Sequence, residues 1–168
     1  MATLTQQQID DLIACRKVIV EPPRKEMTEE RGSRRNDMRL TSEDRAHVFP
    51  VFMRINSTFQ ENFSAGLDYI VPGERDRICL LRCNGPHGEH VNEFLDEPDH
   101  HVTYHIHTAK AELLEQQKLP ERYADITKEY ATFEEALRYF LKRCNIAGWE
   151  EHFPAIARRS LFDGKGKP

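Results

Sequence analysis

Four stretches of the chain, Asn36–Leu40, Val48–Ile55, Phe63–Ile70 and Arg77–Asn84, alternate apolar and polar residues and are joined by the short polar links SEDRA, NSTFQE and VPGERD. Alternation with a period of two marks a strand that lays one face on a core and leaves the other polar. Links this short reach only an antiparallel neighbour. A fifth alternating stretch, Val102–His107, follows the longer link Gly85–His100, whose Gly85-Pro86, Gly88 and Pro98 mark it as a flexible or ligand-facing loop. The expected sheet is therefore an antiparallel β-meander of about five strands.

Helical signals flank this region. Thr5 with Gln8 forms a capping box ahead of Ile9, Leu12 and Ile13, and Thr132 with Glu135 forms a second one ahead of Ala136, Leu137, Phe140 and Leu141. Ala109–Gln117 is rich in helix formers and is stopped by Pro120. These apolar stripes need a surface, and the apolar face of the sheet supplies it, which gives an α+β fold with helices packed on one face. Val18–Val20 reads as a brief strand broken by Pro22-Pro23. Residues 19–35 mix charges of both signs with little to bury and are expected to be a mobile charged loop, and residues 160–168 a frayed tail. All 168 residues fit one domain of ordinary size.

Composition narrows the function classes. Apolar residues are 39% and charged residues 31%, polar for a globular chain but without low-complexity tracts. A formal charge of −4 argues against coating nucleic acid by bulk electrostatics and leaves a local basic face open. There is no apolar run of about 18 residues and no signal-peptide pattern, so no membrane partner is expected. Cys15, Cys79, Cys83 and Cys144 are scattered without a CxxC, which suits a reducing compartment and a cytoplasmic location.

The stretch DHHVTYHIHTAK holds the densest chemistry. On a strand, His101, Thr103, His105 and His107 share one face and Val102, Tyr104 and Ile106 the other, so the histidines belong to the polar side. Parity in the other strands assigns Cys79, Leu81 and Cys83 to the core, together with His47, Phe49, Val51, Met53 and Ile55, and with Phe63, Ala65, Leu67 and Tyr69. The opposite face then gathers Arg54, Phe52, Ser64, Asp68, Arg82, Asn84, His105 and His107, with His87 and His90 on the adjoining loop; a bulge would reverse a strand's assignment.

Such a face supports three functions. The first is metal-free acid-base cleavage of a phosphodiester, as in a ribonuclease: His105 and His107 serve as acid and base because imidazole titrates near about 6.5. Arg82 assists them, and Arg54, Asn84, His87 and His90 bind the substrate; the partner is RNA and no cofactor is needed. Barnase-like and RelE-like ribonucleases set such groups on a curved antiparallel sheet, an analogy of fold alone. The second is a metal site for zinc or another first-row divalent ion, with His87, His90, His105 and His107 as ligands and Glu93 nearby. No cysteine completes a structural zinc set, so the ion would face substrate. The third is a non-enzymatic module or inhibitor that binds a protein partner encoded nearby. The plainest alternative to all three is a solvated polar face whose histidines pair with Asp96, Glu97 and Asp99. The ribonuclease-type phosphodiesterase is the leading expectation.

Other features carry less. Arg31, Arg34, Arg35 and Arg39 suggest a phosphate-binding arm, but Glu29, Glu30 and Asp37 dilute it. Trp149, Phe153 and Phe162 are expected to dock on the core, and Cys144 to be a buried thiol.

The string LLRCNGPHGEHVN, then HIHTAKAE, then YATFEEALRYFLKRCNI resembles a family of small prokaryotic proteins classed as a domain of unknown function. Its pattern is an arginine-bearing strand, an NGPHGxH loop, a FHIHxA strand and a YxxxEEAL helix. The similarity covers about Arg39 to Ile146, with Tyr104 in place of the phenylalanine. The resemblance implies where the site lies and no set activity; families of this kind travel with toxin systems or phage defence, which agrees with a nuclease.

Overall fold

The structure is a computed structural model that describes residues 3–87, 102–119 and 122–162, the last three of these by backbone alone. Helix α1 (Gln6–Ala14) starts as its sequence dictates, with Thr5 Oγ1 accepting from the Gln8 amide at 3.2 Å and Gln8 Oε1 accepting from the Thr5 amide at 2.8 Å. Nine strands follow among the described residues: β1 (Lys17–Glu21), β2 (Thr28–Glu30), β3 (Ser33–Ser42), β4 (Val48–Asn56), β5 (Phe63–Ile70), β6 (Arg77–Asn84), β7 (His105–Thr108), β8 (Ala124–Ile126) and β9 (Ile146–Ala147). They form one sheet in the order β8-β7-β6-β5-β4-β3-β1-β9, with β2 paired to β3, and it curls into a half-barrel. The run from β3 to β8 is an antiparallel meander, as expected, but longer than five strands.

The additional strands come from three places. Residues 19–35, expected to be a mobile loop, instead complete β1 and build the β2–β3 hairpin. The turn is made by Arg31 at φ 49° and Gly32 at φ 75°, the left-handed pair that a two-residue hairpin needs. Glu29 stands opposite Arg34 in register, and its carboxylate accepts from the Ser57 hydroxyl at 2.5 Å, so the mixed charges that argued for a loop sit on a hairpin. Asn36 fastens the preceding chain, accepting from the Arg24 amide at 3.0 Å and donating to its carbonyl at 2.9 Å. The short strands β8 and β9 have too few residues to show a period, and β9 lies parallel to β1, a long-range pairing no local pattern announces.

Helix α3 (Phe133–Arg143) is capped by Thr132, whose hydroxyl accepts from the Glu135 amide at 3.2 Å. Its buried Ala136, Leu137, Phe140 and Leu141 join Ile9, Leu12 and Ile13 of α1 in one core with the apolar sides of β3 to β6. Helix α2 (Ala111–Glu115) is shorter than expected, and α4 (Trp149–His152) and α5 (Pro154–Phe162) close the described chain. Thus the expected frayed tail is helical through Phe162, and positions 163–168 lie outside the described residues. Trp149 is buried and Phe153 packs on the core, as expected for docked aromatics. No described helix is long and apolar enough to cross a membrane.

Two parities need correction. Leu67 opposes Leu81 while Asp68 opposes Cys79, so β6 carries one extra residue, Leu80. This bulge puts Ile78, Leu80 and Leu81 in the core and turns Cys79 out of the set assigned to it, leaving it half-buried. At the other end, β7 starts at His105; Val102 lies in a single helical turn and is 65% exposed, so it is not a core residue.

One polar group lies deep in the core. Lys17 is fully buried, and its Nζ donates to the carbonyls of Ile13, Cys15 and Cys144 at 2.8, 2.9 and 2.9 Å. The ammonium thus satisfies carbonyls that the ends of α1 and α3 leave open. Burial holds its pKa below the usual lysine range.

Candidate metal centre

Register decides what the polar face collects, because residues directly opposite each other in a sheet project from the same side. One row across the strands reads Arg35, Arg54, Ser64, Asn84, His105 and Ile126. The adjacent row reads Asp37, Phe52, Gly66, Arg82, His107 and Ala124. Arg54, Arg82, Asn84, His105 and His107 therefore do share a face, as their parity predicts. They do not share one exposure: His105 is 0% and His107 4% exposed, where a solvated face was expected. The cause is position, since β7 is flanked by β6 and β8 and His87 lies against it.

His87 reaches this place through Gly85. A Cβ at Gly85 would stand 1.8 Å from the Glu61 carbonyl oxygen, and the Gly85 amide donates to Phe63 O at 3.0 Å. Only glycine lets the chain leave β6 pressed against that backbone. The imidazole of His87 then faces His105 with Nε2 to Nε2 of 3.2 Å, and the ring centroids are 5.0 Å apart. The His105 and His107 rings meet edge to face at 4.9 Å, and one ring nitrogen from each of His87, His105 and His107 falls within 4.8 Å of the others. His90 and Glu93, also named as ligands from the sequence, lie outside the described residues, as do Asp96, Glu97 and Asp99.

The tautomer of His105 follows from its partner. Its Nδ1 is 2.8 Å from the Thr103 carbonyl oxygen, which only accepts, so Nδ1 carries the proton and Nε2 presents a lone pair to the cluster. A backbone carbonyl behind one ring nitrogen, with the other turned towards neighbouring ligand atoms, is the usual setting of a metal-ligating imidazole. Two nitrogens bound tetrahedrally at about 2.0–2.1 Å to one zinc-like ion stand roughly 3.3 Å apart. The 3.2 Å between His87 and His105, also a hydrogen-bond distance, is close to that edge, and the His107 nitrogen lies within 4.8 Å of both.

The surroundings are polar and incompletely satisfied. Asn84 Nδ2 lies 3.4 Å from both Nε2 atoms, a long contact, and its Oδ1 is buried without a hydrogen bond among the described residues, as is Arg82 Nε. Buried polar atoms of this kind are few in folded proteins, and water, an ion or a ligand commonly satisfies them. Next along the face, Arg54 donates to Asn62 Oδ1 at 3.3 Å. Burial holds its pKa below the usual arginine range, and the charges of Arg35 and Arg82 add to the shift.

Below the cluster stands Tyr130, which the sequence reading passed over. Its hydroxyl donates to the carbonyls of His105 at 2.7 Å and Asn84 at 3.1 Å, tying β7 to β6 at the residues that carry the site. Burial raises its pKa far above the tyrosine range and keeps it a donor. The available signal was its place two residues ahead of the Thr132 cap, in the string YATFEEAL.

The model of a family of unknown function, DUF6978, matches residues 4–146. The chain belongs to DUF6978. That span includes every strand from β1 to β8 and all the described site residues, so the site of this DUF6978 protein lies inside the family's own fold. No curated protein and no solved structure matches the chain.

Proposed function

We propose that this DUF6978 protein is a metal-dependent hydrolase of phosphate diesters, with one first-row divalent ion held by His87, His105 and His107. The observation that carries this reading is the Nε2 to Nε2 distance of 3.2 Å between two imidazoles, one of them fixed by Thr103 O in the tautomer that leaves its lone pair inward. His87, His105 and His107 would hold the ion, and the chemistry it would supply is Lewis-acid activation of water for attack on phosphorus at neutral pH. Arg82, directly opposite His107, faces the phosphate and neutralises the charge that builds on it. Asn84 Oδ1, buried without a hydrogen bond among the described residues, would accept from a water at this place.

Metal-free acid-base chemistry by His105 and His107 takes second place. It needs both rings to reach a large substrate directly, and these two are almost fully buried. All four cysteines are free, which fits a reducing compartment such as the cytoplasm.

The test is elemental analysis of protein purified without a polyhistidine tag, with affinity measured by competition against a chromophoric chelator. Wild type is expected to hold close to one equivalent, and His105→Ala and His107→Ala each to lose it while keeping a wild-type circular dichroism spectrum. Hydrolysis of bis(p-nitrophenyl) phosphate is expected to stop in EDTA and return with metal. Metal well below stoichiometry in wild type, or cleavage undiminished by EDTA, overturns the proposal, and the second result favours the metal-free reading.

A further inference from the structure

Three guanidinium groups lie together on the face that leads away from the histidines. Arg35 is directly opposite Arg54, and Arg82 lies one row over and two strands on, close enough for its charge to bear on Arg54. Like charges placed opposite each other destabilise a sheet. The ion pairs among the described residues, Arg16 with Glu43 and Arg24 with Asp37, include none of the three. Three cations at this spacing, with no ion pair to any of them among the described residues, suit an anion supplied from outside.

The row is too long for one phosphate. From Arg35 to His105 it crosses four strand spacings, about 19 Å at roughly 4.8 Å each. Ser64 stands within it, and no acidic side chain interrupts it between Arg35 and His105. Beside it lies Phe52, an aromatic ring on a polar face. The ring covers Gly66 so closely that a Cβ there would be 2.2 Å from it, and it remains half-buried between Arg54 on its own strand and Arg82 beyond Gly66. Cations that track a backbone, with a ring on which a base can stack, are the elements of single-strand recognition. A duplex keeps its bases stacked on one another and offers none to Phe52.

We propose that the polymer bound at this face is single-stranded nucleic acid, laid across β3 to β6 with phosphates on Arg35 and Arg54, a base on Phe52, and the phosphate to be cut beside Arg82. The proposal takes from the hydrolase reading only the place of cleavage; binding by the arginines and Phe52 needs no ion.

Fluorescence anisotropy tests it, using a short fluorescein-labelled oligouridylate against an RNA duplex of equal length. Titrations run in EDTA over a series of salt concentrations. Wild type is expected to bind the single strand at least tenfold more tightly than the duplex. Arg35→Ala and Arg54→Ala should each weaken binding and flatten the slope of log K against log salt by about 0.7, the counterion release of one phosphate contact on a single strand. Arg54→Lys should restore the slope. Phe52→Ala should weaken binding about fivefold or more and leave the slope unchanged. Equal affinity for duplex, no binding at low salt, or a slope untouched in both alanine variants that melt like wild type overturns the proposal. Metal bound at one equivalent without oligonucleotide binding refutes this inference alone; oligonucleotide binding without metal refutes the hydrolase reading alone.

Discussion

Removing the hydroxyl of Tyr130 tests whether the site is held from below. In Tyr130→Phe the ring keeps its neighbours, Phe63 and Tyr104 at 6.0 Å and Tyr139 at 6.1 Å between centroids, so packing changes little. What is lost is one donor shared by two carbonyls, those of His105 and Asn84, in surroundings where Tyr130 itself is 3% exposed. A buried acceptor stripped of its partner costs about 1–3 kcal/mol, and we take about 2 kcal/mol here because the donor is shared. For a chain of this length, that corresponds to a fall in Tm of roughly 4–8 °C. The same change loosens the strand pair that carries the ligands, so metal affinity should drop about tenfold or more, as is usual when a ligand's support is removed. Thermal melts by circular dichroism and chelator competition give the two numbers. Tyr104→Phe, at a half-buried position, serves as the control and should stay within about 0.5 kcal/mol. A Tyr130→Phe protein that melts within about 1 °C of wild type and binds metal equally well would refute the claim that this hydroxyl positions the site.

Gly85→Ala forces a Cβ to 1.8 Å from a backbone oxygen, so it should cost about 3 kcal/mol, displace His87 and abolish metal binding; a neutral melt would contradict the close approach. Lys17→Met strands the carbonyls of Ile13, Cys15 and Cys144 and should lower stability by about 2–4 kcal/mol in urea denaturation, whereas unchanged stability would mean those carbonyls find other partners. Burial pushes the Cys144 thiol up from an ordinary 9.0 to about 12, so the folded state keeps a proton that the unfolded state releases. Its contribution is present in full below pH 9.0 and is lost as pH rises from there towards about 12, by at most about 4 kcal/mol; Cys144→Ala should flatten that alkaline limb, and an identical limb in both proteins would refute it.

How much of this was legible in the sequence depends on how local each feature is. The capping boxes at Thr5 and Thr132 are settled within four residues, and both helices begin where the sequence says. Strand parity is equally local, so the company of Arg54, Arg82, Asn84, His105 and His107 on one face could be read directly. The parity of Cys79 failed because a bulge is a property of two strands, and nothing in RICLLRCN states that Leu80 is the extra residue. The charged segment 19–35 failed for a related reason: by itself it has little to bury, and its strands exist because β3 offers a hydrogen-bonding edge with opposite charges in register.

The chain's alternation and caps determined by themselves that an antiparallel sheet would form with helices on its apolar side and with two imidazoles and two guanidinium groups on the other. Only the tertiary structure decided that the imidazoles are buried, that His87 swings over Gly85 to meet His105, that Arg35 lies opposite Arg54, and that Tyr130 bonds to both strands beneath them. A side chain's direction follows from the φ and ψ of its own residue, which neighbours in sequence fix. Its burial and its partners depend on the register between strands tens of residues apart, and that register is set by the packing of the whole sheet.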